Sequence, residues 1–206
     1  MCGIIGCCGN PEQKLLTNLC VESQIRGLHA FGYSFLDNND ELVTTKTLQF
    51  EDNFLDNYFS AKTNKFIWHN RYSTSGDWRQ IKNNQPITYD KIAIAMNGVI
   101  SMASKPEFEK KFGVKCESEN DTEIFLRLLQ KTQDPEKAWN ELEGSLALIF
   151  IWRNKIFAMR NEYRPLHYFQ TSNANYICST ADIARRAGKI KTNLIKPNTL
   201  IDVGRI

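Results

Sequence analysis

From Ser145 to Ser179 the chain is almost continuous strand pattern, with apolar runs at 145–152, 155–160, 166–170 and 175–179 broken only by short polar turns. Strands this crowded have to pair into a sheet, and an apolar sheet face needs a covering layer. Strand patterns recur at 2–8, 31–36, 42–48, 66–68, 86–89, 91–97 and 199–203, and Asp37-Asn38-Asn39-Asp40 supplies hairpin chemistry between the second and third of these. Helical spacing is sparser. Leu15, Leu16, Leu19, Cys20 and Ser23 follow an Asn10-Pro11 start and run to a stop at Gly27. Ile124, Phe125, Leu128 and Leu129 share one face of a helix opening at Asn120-Asp121-Thr122-Glu123, where Asn120 or Asp121 is the cap. Shorter helices are expected at 54–59, 106–112, from Pro135 to before Gly144, and at 181–187. The polar stretch from Asp77 to Gln85 reads as a loop whose only apolar anchors are Trp78 and Ile81. The pattern predicts an α+β protein with helices covering a β core.

At 206 residues the chain is expected to form one domain, 1–206, large enough to bury a core without a disulfide or metal staple. Its 26 basic and 23 acidic residues leave a net charge of +3, too small and scattered to argue for nucleic acid or a membrane surface. No signal peptide and no long apolar span is apparent. The six cysteines, at 2, 7, 8, 20, 116 and 178, include no CxxC pair, so neither a zinc site nor any other cofactor is expected. A reducing cytoplasmic setting follows, with all but Cys2 read as small buried residues.

Cys2 differs because of its place in Met1-Cys2-Gly3-Ile4-Ile5-Gly6. If Met1 is trimmed, one residue carries both a thiol and an α-amine. An α-amine titrates near ~7.7–8.0 and a free thiol near ~8.5, so the amine can take the thiol's proton. Gly3 leaves the thiol uncrowded, and Ile4 and Ile5 begin a buried strand. Other polar residues have ordinary readings one by one. Arg71 could cap a strand, Asn97-Gly98 could be a hairpin turn, Arg26-Gly27 could end a helix, and His69 could be a strand histidine.

Their order carries more information. Cys2-Gly3-Ile4-Ile5-Gly6, Arg26-Gly27, His69-x-Arg71-Tyr72-Ser73-Thr74-x-Gly76, Gln85-Pro86, Asn97-Gly98 and Ser118-x-x-Asp121-Thr122-Glu123 occur in succession. Ala158-Met159-Arg160-Asn161, Arg164-Pro165-Leu166 and Ser179-Thr180 follow. The set resembles the glutaminase domain of class II glutamine amidotransferases, members of the N-terminal-nucleophile hydrolases. Its wording is closest to the amidophosphoribosyltransferase and glucosamine-6-phosphate synthase branches.

The resemblance implies a four-layer αββα sandwich of two mainly antiparallel sheets. It also implies hydrolysis of L-glutamine to glutamate and ammonia through a thioester on Cys2. Asn97 and Gly98 would hold the tetrahedral oxygen, Arg71 the substrate α-carboxylate, and Asp121 its α-ammonium. Arg26 and Gly27 would orient the terminal amine, while Tyr72, Thr74 and Ser75 would line the pocket. Two positions depart from the family pattern: Met96 stands where most relatives have His, and His29 where Asp is usual. With no synthase domain apparent in 1–206, ammonia is expected to pass to a separate synthase, and the loop from Gly76 to Gln85 is expected to be the segment that moves. A hydrolase of another γ-glutamyl compound and a catalytically silent glutamine-binding module remain as alternatives.

Overall fold

The computed structural model describes residues 1–101 and 104–206. Strand β1 (Gly3–Gly9) leads into helix α1 (Gln13–Ser23) and a 3-10 turn (Gln24–Arg26). The hairpin β2 (Ala30–Leu36) and β3 (Leu42–Thr47) precedes α2 (Asp56–Ala61), β4 (Lys65–Arg71) and a second 3-10 turn (Ile81–Asn83). Then come β5 (Ile87–Tyr89), β6 (Ile92–Ile100), α3 (Lys105–Phe112), α4 (Thr122–Thr132) and α5 (Pro135–Asn140). The crowded strand region becomes β7 (Gly144–Trp152), β8 (Lys155–Arg160), β9 (His167–Gln170) and β10 (Ala174–Cys178). Helix α6 (Ala181–Gly188), β11 (Asn193–Leu194), β12 (Ile201–Asp202) and a 3-10 turn (Val203–Arg205) follow.

Among the described residues two sheets result, one in the order β11-β9-β10-β1-β4-β2-β3 and the other β12-β8-β7-β6-β5, with antiparallel pairing throughout both. Side-chain alternation along each strand then divides the apolar residues among three cores. Ile4, Ile67 and Ile177 of the first sheet meet Ala93, Ala95, Ala147 and Ile149 of the second between the sheets. Small residues here let the sheets approach closely. A Cβ built on Gly6 would lie only 3.1 Å from Ile149 Cγ2. The outer face of the first sheet is covered by α1, α2 and α6 through Leu16, Leu19, Tyr58 and Ile183. The outer face of the second is covered by α3, α4 and α5 through Phe108, Phe125, Leu128 and Trp139. Each such side chain contributes about 1.5–3 kcal/mol of burial. The expected αββα sandwich is the architecture observed. Among the described residues no helix is long and apolar enough to cross a membrane.

Several local expectations change. Asn97-Gly98 is no turn but lies inside β6, with Asn97 opposite Ala147 and Gly98 opposite Leu146. The two-residue turn with positive φ is Arg153-Asn154 (φ 48 and 58), between β7 and β8. Gly27 does not end a helix through a left-handed conformation, since its φ is 174° and the chain passes through the 3-10 turn before it. What requires glycine there is space: a Cβ would lie 2.4 Å from the Arg71 carbonyl carbon and 2.5 Å from the Tyr72 nitrogen. The final strand is shorter than expected, because the Asp202 side chain accepts from Gly204 N and turns the chain.

At the start of α4 the cap is Asn120, one of the two expected residues, whose Oδ1 accepts the Thr122 N–H at 3.0 Å. Glu123 reaches back to Glu117 N (2.8 Å), Ser118 N (2.6 Å) and the Ser118 hydroxyl (2.6 Å), and pairs with Arg127 at 2.8 Å. Burial pushes its carboxyl up, but these bonds outweigh burial and leave its pKa lowered. A depressed folded-state pKa contributes stability above the unfolded value and loses it as pH falls through the folded one. Glu123→Ala is therefore expected to cost about 3 kcal/mol in urea unfolding at neutral pH, with the difference from wild type shrinking below the ordinary glutamate range.

Candidate active site

The site forms where β1 and β4 of one sheet end beside β6 of the other. Along β1, Ile4 faces the inter-sheet core and Ile5 the helices, so Cys2 faces between the sheets. The register pairs Gly3 with Asn70 and Ile4 with His69, and one further step sets Cys2 beside Arg71. On β6, Ala93 and Ala95 face the same core, and so does Asn97 two residues on. The Cys2 nitrogen, a peptide nitrogen while Met1 is attached, donates to Asn97 Oδ1 at 3.1 Å. Asn97 Nδ2 is buried and has no partner among the described residues. An unsatisfied buried donor costs roughly 1–3 kcal/mol, which a site can recover by binding an oxygen there. Gly98 is needed for packing, since a Cβ would lie 2.0 Å from Ser145 O.

The Cys2 thiol receives the Tyr72 N–H at 3.4 Å. Burial pushes the thiol's pKa up, and the Tyr72 N–H and the Arg71 charge oppose that while Asp121 adds to it. Arg71 and Asp121 therefore both bear on the thiol. Asp121 holds one carboxylate oxygen against the Ile100 N–H at 2.9 Å, and burial raises its pKa. Arg71 is itself buried, and its guanidinium donates to the carbonyls of Asn83, Ser75 and Gly76 and to Asn84 Oδ1 at 2.6 Å. Its donors face neutral loop oxygens.

Arg26 donates from Nε to the Cys2 carbonyl at 2.7 Å. It is placed by a knot missed in the sequence. Ser23 Oγ bonds Asn70 Oδ1 (2.7 Å) and receives Trp68 Nε1 (3.0 Å), while Asn70 Nδ2 donates to the Ser23 and Gly27 carbonyls. Gly3 makes room for Asn70, whose Oδ1 would lie 2.1 Å from an added Cβ. Arg164, from the Arg164-Pro165-Leu166 motif, sets its Nη1 3.1 Å from Met1 Sδ. Arg26 and Arg164 both depress the pKa of the Met1 amine, after burial as the largest cause.

Other candidates sit differently. Tyr72 reaches Cys2 through its backbone, and its ring is exposed and stacks on His29. Ser75 meets Arg71 through its carbonyl, and Thr74 is exposed. Met96 lies in the apolar core under α4, on the β6 face away from Cys2, and its N–H donates to Gln85 Oε1 at 2.6 Å. The substitution for histidine therefore removes no group facing the thiol. Burial first, then Arg71, pushes the pKa of His69 down to about 3, so it stays neutral between the sheets. The loop is anchored only partly as expected: Trp78 stacks on the His29 ring, but Ile81 is exposed, and buried Asn83, Asn84 and Gln85 supply the further anchors. Asn83 bonds Glu119 in both directions and accepts from Asn120 Nδ2, and Asn84 Nδ2 donates to Trp78 O.

A glutamine amidotransferase domain profile matches residues 69–185, more than half of the chain. The chain belongs to that family, in its class II, N-terminal-nucleophile branch. It is 27% identical over 199 residues to a chloroplastic amidophosphoribosyltransferase of Glycine max, covering 89% of this chain and 35% of the relative. An amidophosphoribosyltransferase of Methanothermobacter thermautotrophicus is 26% identical over 225 residues, covering 99% and 47%. The chain thus spans less than half the length of these relatives. Among solved structures, the glutamine phosphoribosylpyrophosphate amidotransferase of B. subtilis superposes with a TM-score of 0.78 at 19% identity, covering 95% of this chain and 45% of the other. A class II glutamine aminotransferase domain protein of Silicibacter pomeroyi gives 0.60 at 11% identity, covering 98% and 99%. These likenesses establish the N-terminal-nucleophile hydrolase fold.

With Met1 attached, the raised thiol pKa makes Cys2 a poor nucleophile at neutral pH. Its alkylation by iodoacetamide is expected to be slow there and to accelerate only above the ordinary thiol range, as followed by peptide mass spectrometry.

Proposed function

We propose that residues 1–206 form one glutaminase unit that hydrolyses L-glutamine with Cys2 as nucleophile and supplies ammonia to an acceptor site outside this sandwich, on a separate synthase. The observation that carries this reading is the buried, unpartnered Nδ2 of Asn97, on the same side-chain amide whose oxygen holds the Cys2 nitrogen. Removal of Met1 turns the Cys2 nitrogen into an amine that can take the thiol's proton. Sulfur then attacks the side-chain amide carbon, and Asn97 Nδ2 and the Gly98 N–H stabilise the tetrahedral oxygen. The ammonium of Cys2 returns the proton to the leaving nitrogen, ammonia departs, and a γ-glutamyl thioester remains. Water, activated by the same amine, cleaves the thioester to glutamate.

Arg71 and Asp121 select an amino acid over a simple amide. Binding the α-carboxylate requires Arg71 to exchange the Ser75 and Gly76 carbonyls for the substrate, since a charged acceptor bonds a guanidinium more strongly than a neutral one. The pocket as it stands is thus incompletely assembled, which fits an enzyme stimulated by its synthase. Ammonia released into neutral water becomes ammonium, so coupling to a nearby acceptor site preserves its reactivity. Six free cysteines are consistent with a reducing cytoplasmic setting.

Steady-state glutamate and ammonia release tests the assignment. Cys2→Ala is expected to abolish both, whereas Cys7→Ala retains turnover. Asn97→Ala is expected to lower kcat by about 10²–10³ with a smaller change in KM, because its bond to the oxyanion exists only in the transition state. A KM effect alone would remove the oxyanion role. Faster cleavage of γ-glutamyl peptides than of glutamine would assign the protein to another γ-glutamyl hydrolase. Tight glutamine binding without turnover by the processed chain would make it a binding module.

A further inference from the structure

His29 lies outside the reacting groups, on the connection between the 3-10 turn at Arg26 and β2. Its ring is sandwiched between two aromatic rings of the segment that follows β4. The Tyr72 ring lies at 5.3 Å between centroids and 22° between planes, and the Trp78 ring at 5.2 Å and 15°. His29 Nδ1 accepts the Ser73 N–H at 2.9 Å, and the His29 N–H donates to Arg71 O at 3.0 Å. One residue thereby grips the chain at positions 71, 72, 73 and 78. The same stretch gives Cys2 its Tyr72 N–H and gives Arg71 the carbonyls of Ser75 and Gly76.

We propose that His29 is a positioning residue for glutamine binding: its neutral imidazole holds residues 71–78 in place beside Cys2, and its protonation breaks the hold on Ser73 and so weakens the enzyme's hold on glutamine. The binding part of this inference rests on the glutaminase reading; the latch itself does not.

The geometry requires the neutral ring. An imidazole nitrogen accepts a hydrogen bond only while it has a lone pair, and the imidazolium carries N–H on both nitrogens. Protonation would set the Nδ1–H against the Ser73 N–H, donor facing donor. A cation between two aromatic faces is still attracted to them, so the ring can stay stacked while the Ser73 bond is lost. The charged groups around the stack come from the loop: Arg79 lies 4.9 Å from the Trp78 ring and pairs with Asp77 at 3.4 Å. The Tyr72 hydroxyl is the titratable group on the other face, and Arg71 meets His29 through its carbonyl. No carboxylate pairs with the imidazole among the described residues. Histidine is the side chain whose charge ordinarily changes within the physiological pH range. A carboxylate at this position would accept the same N–H without that sensitivity.

The test follows KM for glutamine from about pH 8 to about pH 5, the range in which imidazoles charge, in wild type, His29→Asn and His29→Phe. Wild-type KM is expected to rise about tenfold on acidification, the equivalent of one lost hydrogen bond. His29→Asn presents an amide oxygen near the Nδ1 position and should remove that rise while keeping a low KM. His29→Phe keeps the stack without the acceptor and should show a high KM at every pH. Trp78 emission gives a readout independent of glutamine, because Trp68, Trp139 and Trp152 are buried elsewhere. A pH-dependent emission step should appear in wild type and vanish in His29→Asn and Trp78→Phe. An unchanged KM profile or an unchanged emission step in His29→Asn would overturn the proposal. An emission step that tracks His29 in a protein without glutamine turnover would uphold the latch and sink only the glutaminase reading.

Discussion

The hydrogen bond from the Cys2 nitrogen to Asn97 Oδ1 joins the two sheets at the mouth of the sandwich, and the geometry of the site depends on it. It fixes which end of the Asn97 amide faces the chain terminus, and so leaves Nδ2 buried and without a partner among the described residues. The bond can form only if β1 and β6 approach closely. Gly6 against Ile149, and the alanines at 93, 95 and 147, provide that approach deep in the inter-sheet core. Packing of small residues well inside the molecule thereby sets a distance at its surface.

A second constraint is the competition for Arg71. A buried guanidinium needs acceptors, and here the loop after β4 provides them as carbonyls. The loop is held by side-chain amides and by the stack on His29, so the state of the loop and the readiness of Arg71 are coupled. In the proposed function, substrate binding and loop rearrangement become one event. In that reading the coupling would give a partner synthase a physical handle on turnover, because a contact that moves Ser75 and Gly76 would free the guanidinium from their carbonyls.

The strands were largely legible in the sequence because an apolar run in a doubly covered sheet has few other uses, and β7, β8 and β10 lie within a residue or so of their expected limits. Asn97-Gly98 was ambiguous for a physical reason. The residues that favour a two-residue turn are also those that serve a strand needing an amide donor and close backbone contact, and only the pairing with Ala147 and Leu146 separates the two. Gly27 misled in the same way, since its requirement comes from Arg71, far along the chain. The loop anchors were illegible because Asn83, Asn84 and Gln85 look like solvent-facing residues until Glu119, Asn120 and Met96 N are brought to them. Of the candidate residues, Cys2, Asn97, Arg71, Asp121 and Arg26 converge at one mouth. Tyr72 and Ser75 contribute backbone atoms where side chains were expected.

The central claim is that Cys2, freed of Met1, carries the acyl group in turnover. Rapid acid quench of the processed protein during glutamine hydrolysis, followed by peptide mass spectrometry, tests it most directly. The account predicts one γ-glutamyl group on the peptide that begins at Cys2, lost on further incubation as glutamate forms. Acylation at Cys7, Cys8 or Cys116, or turnover with no trapped thioester while Cys2 remains freely alkylated, would contradict it.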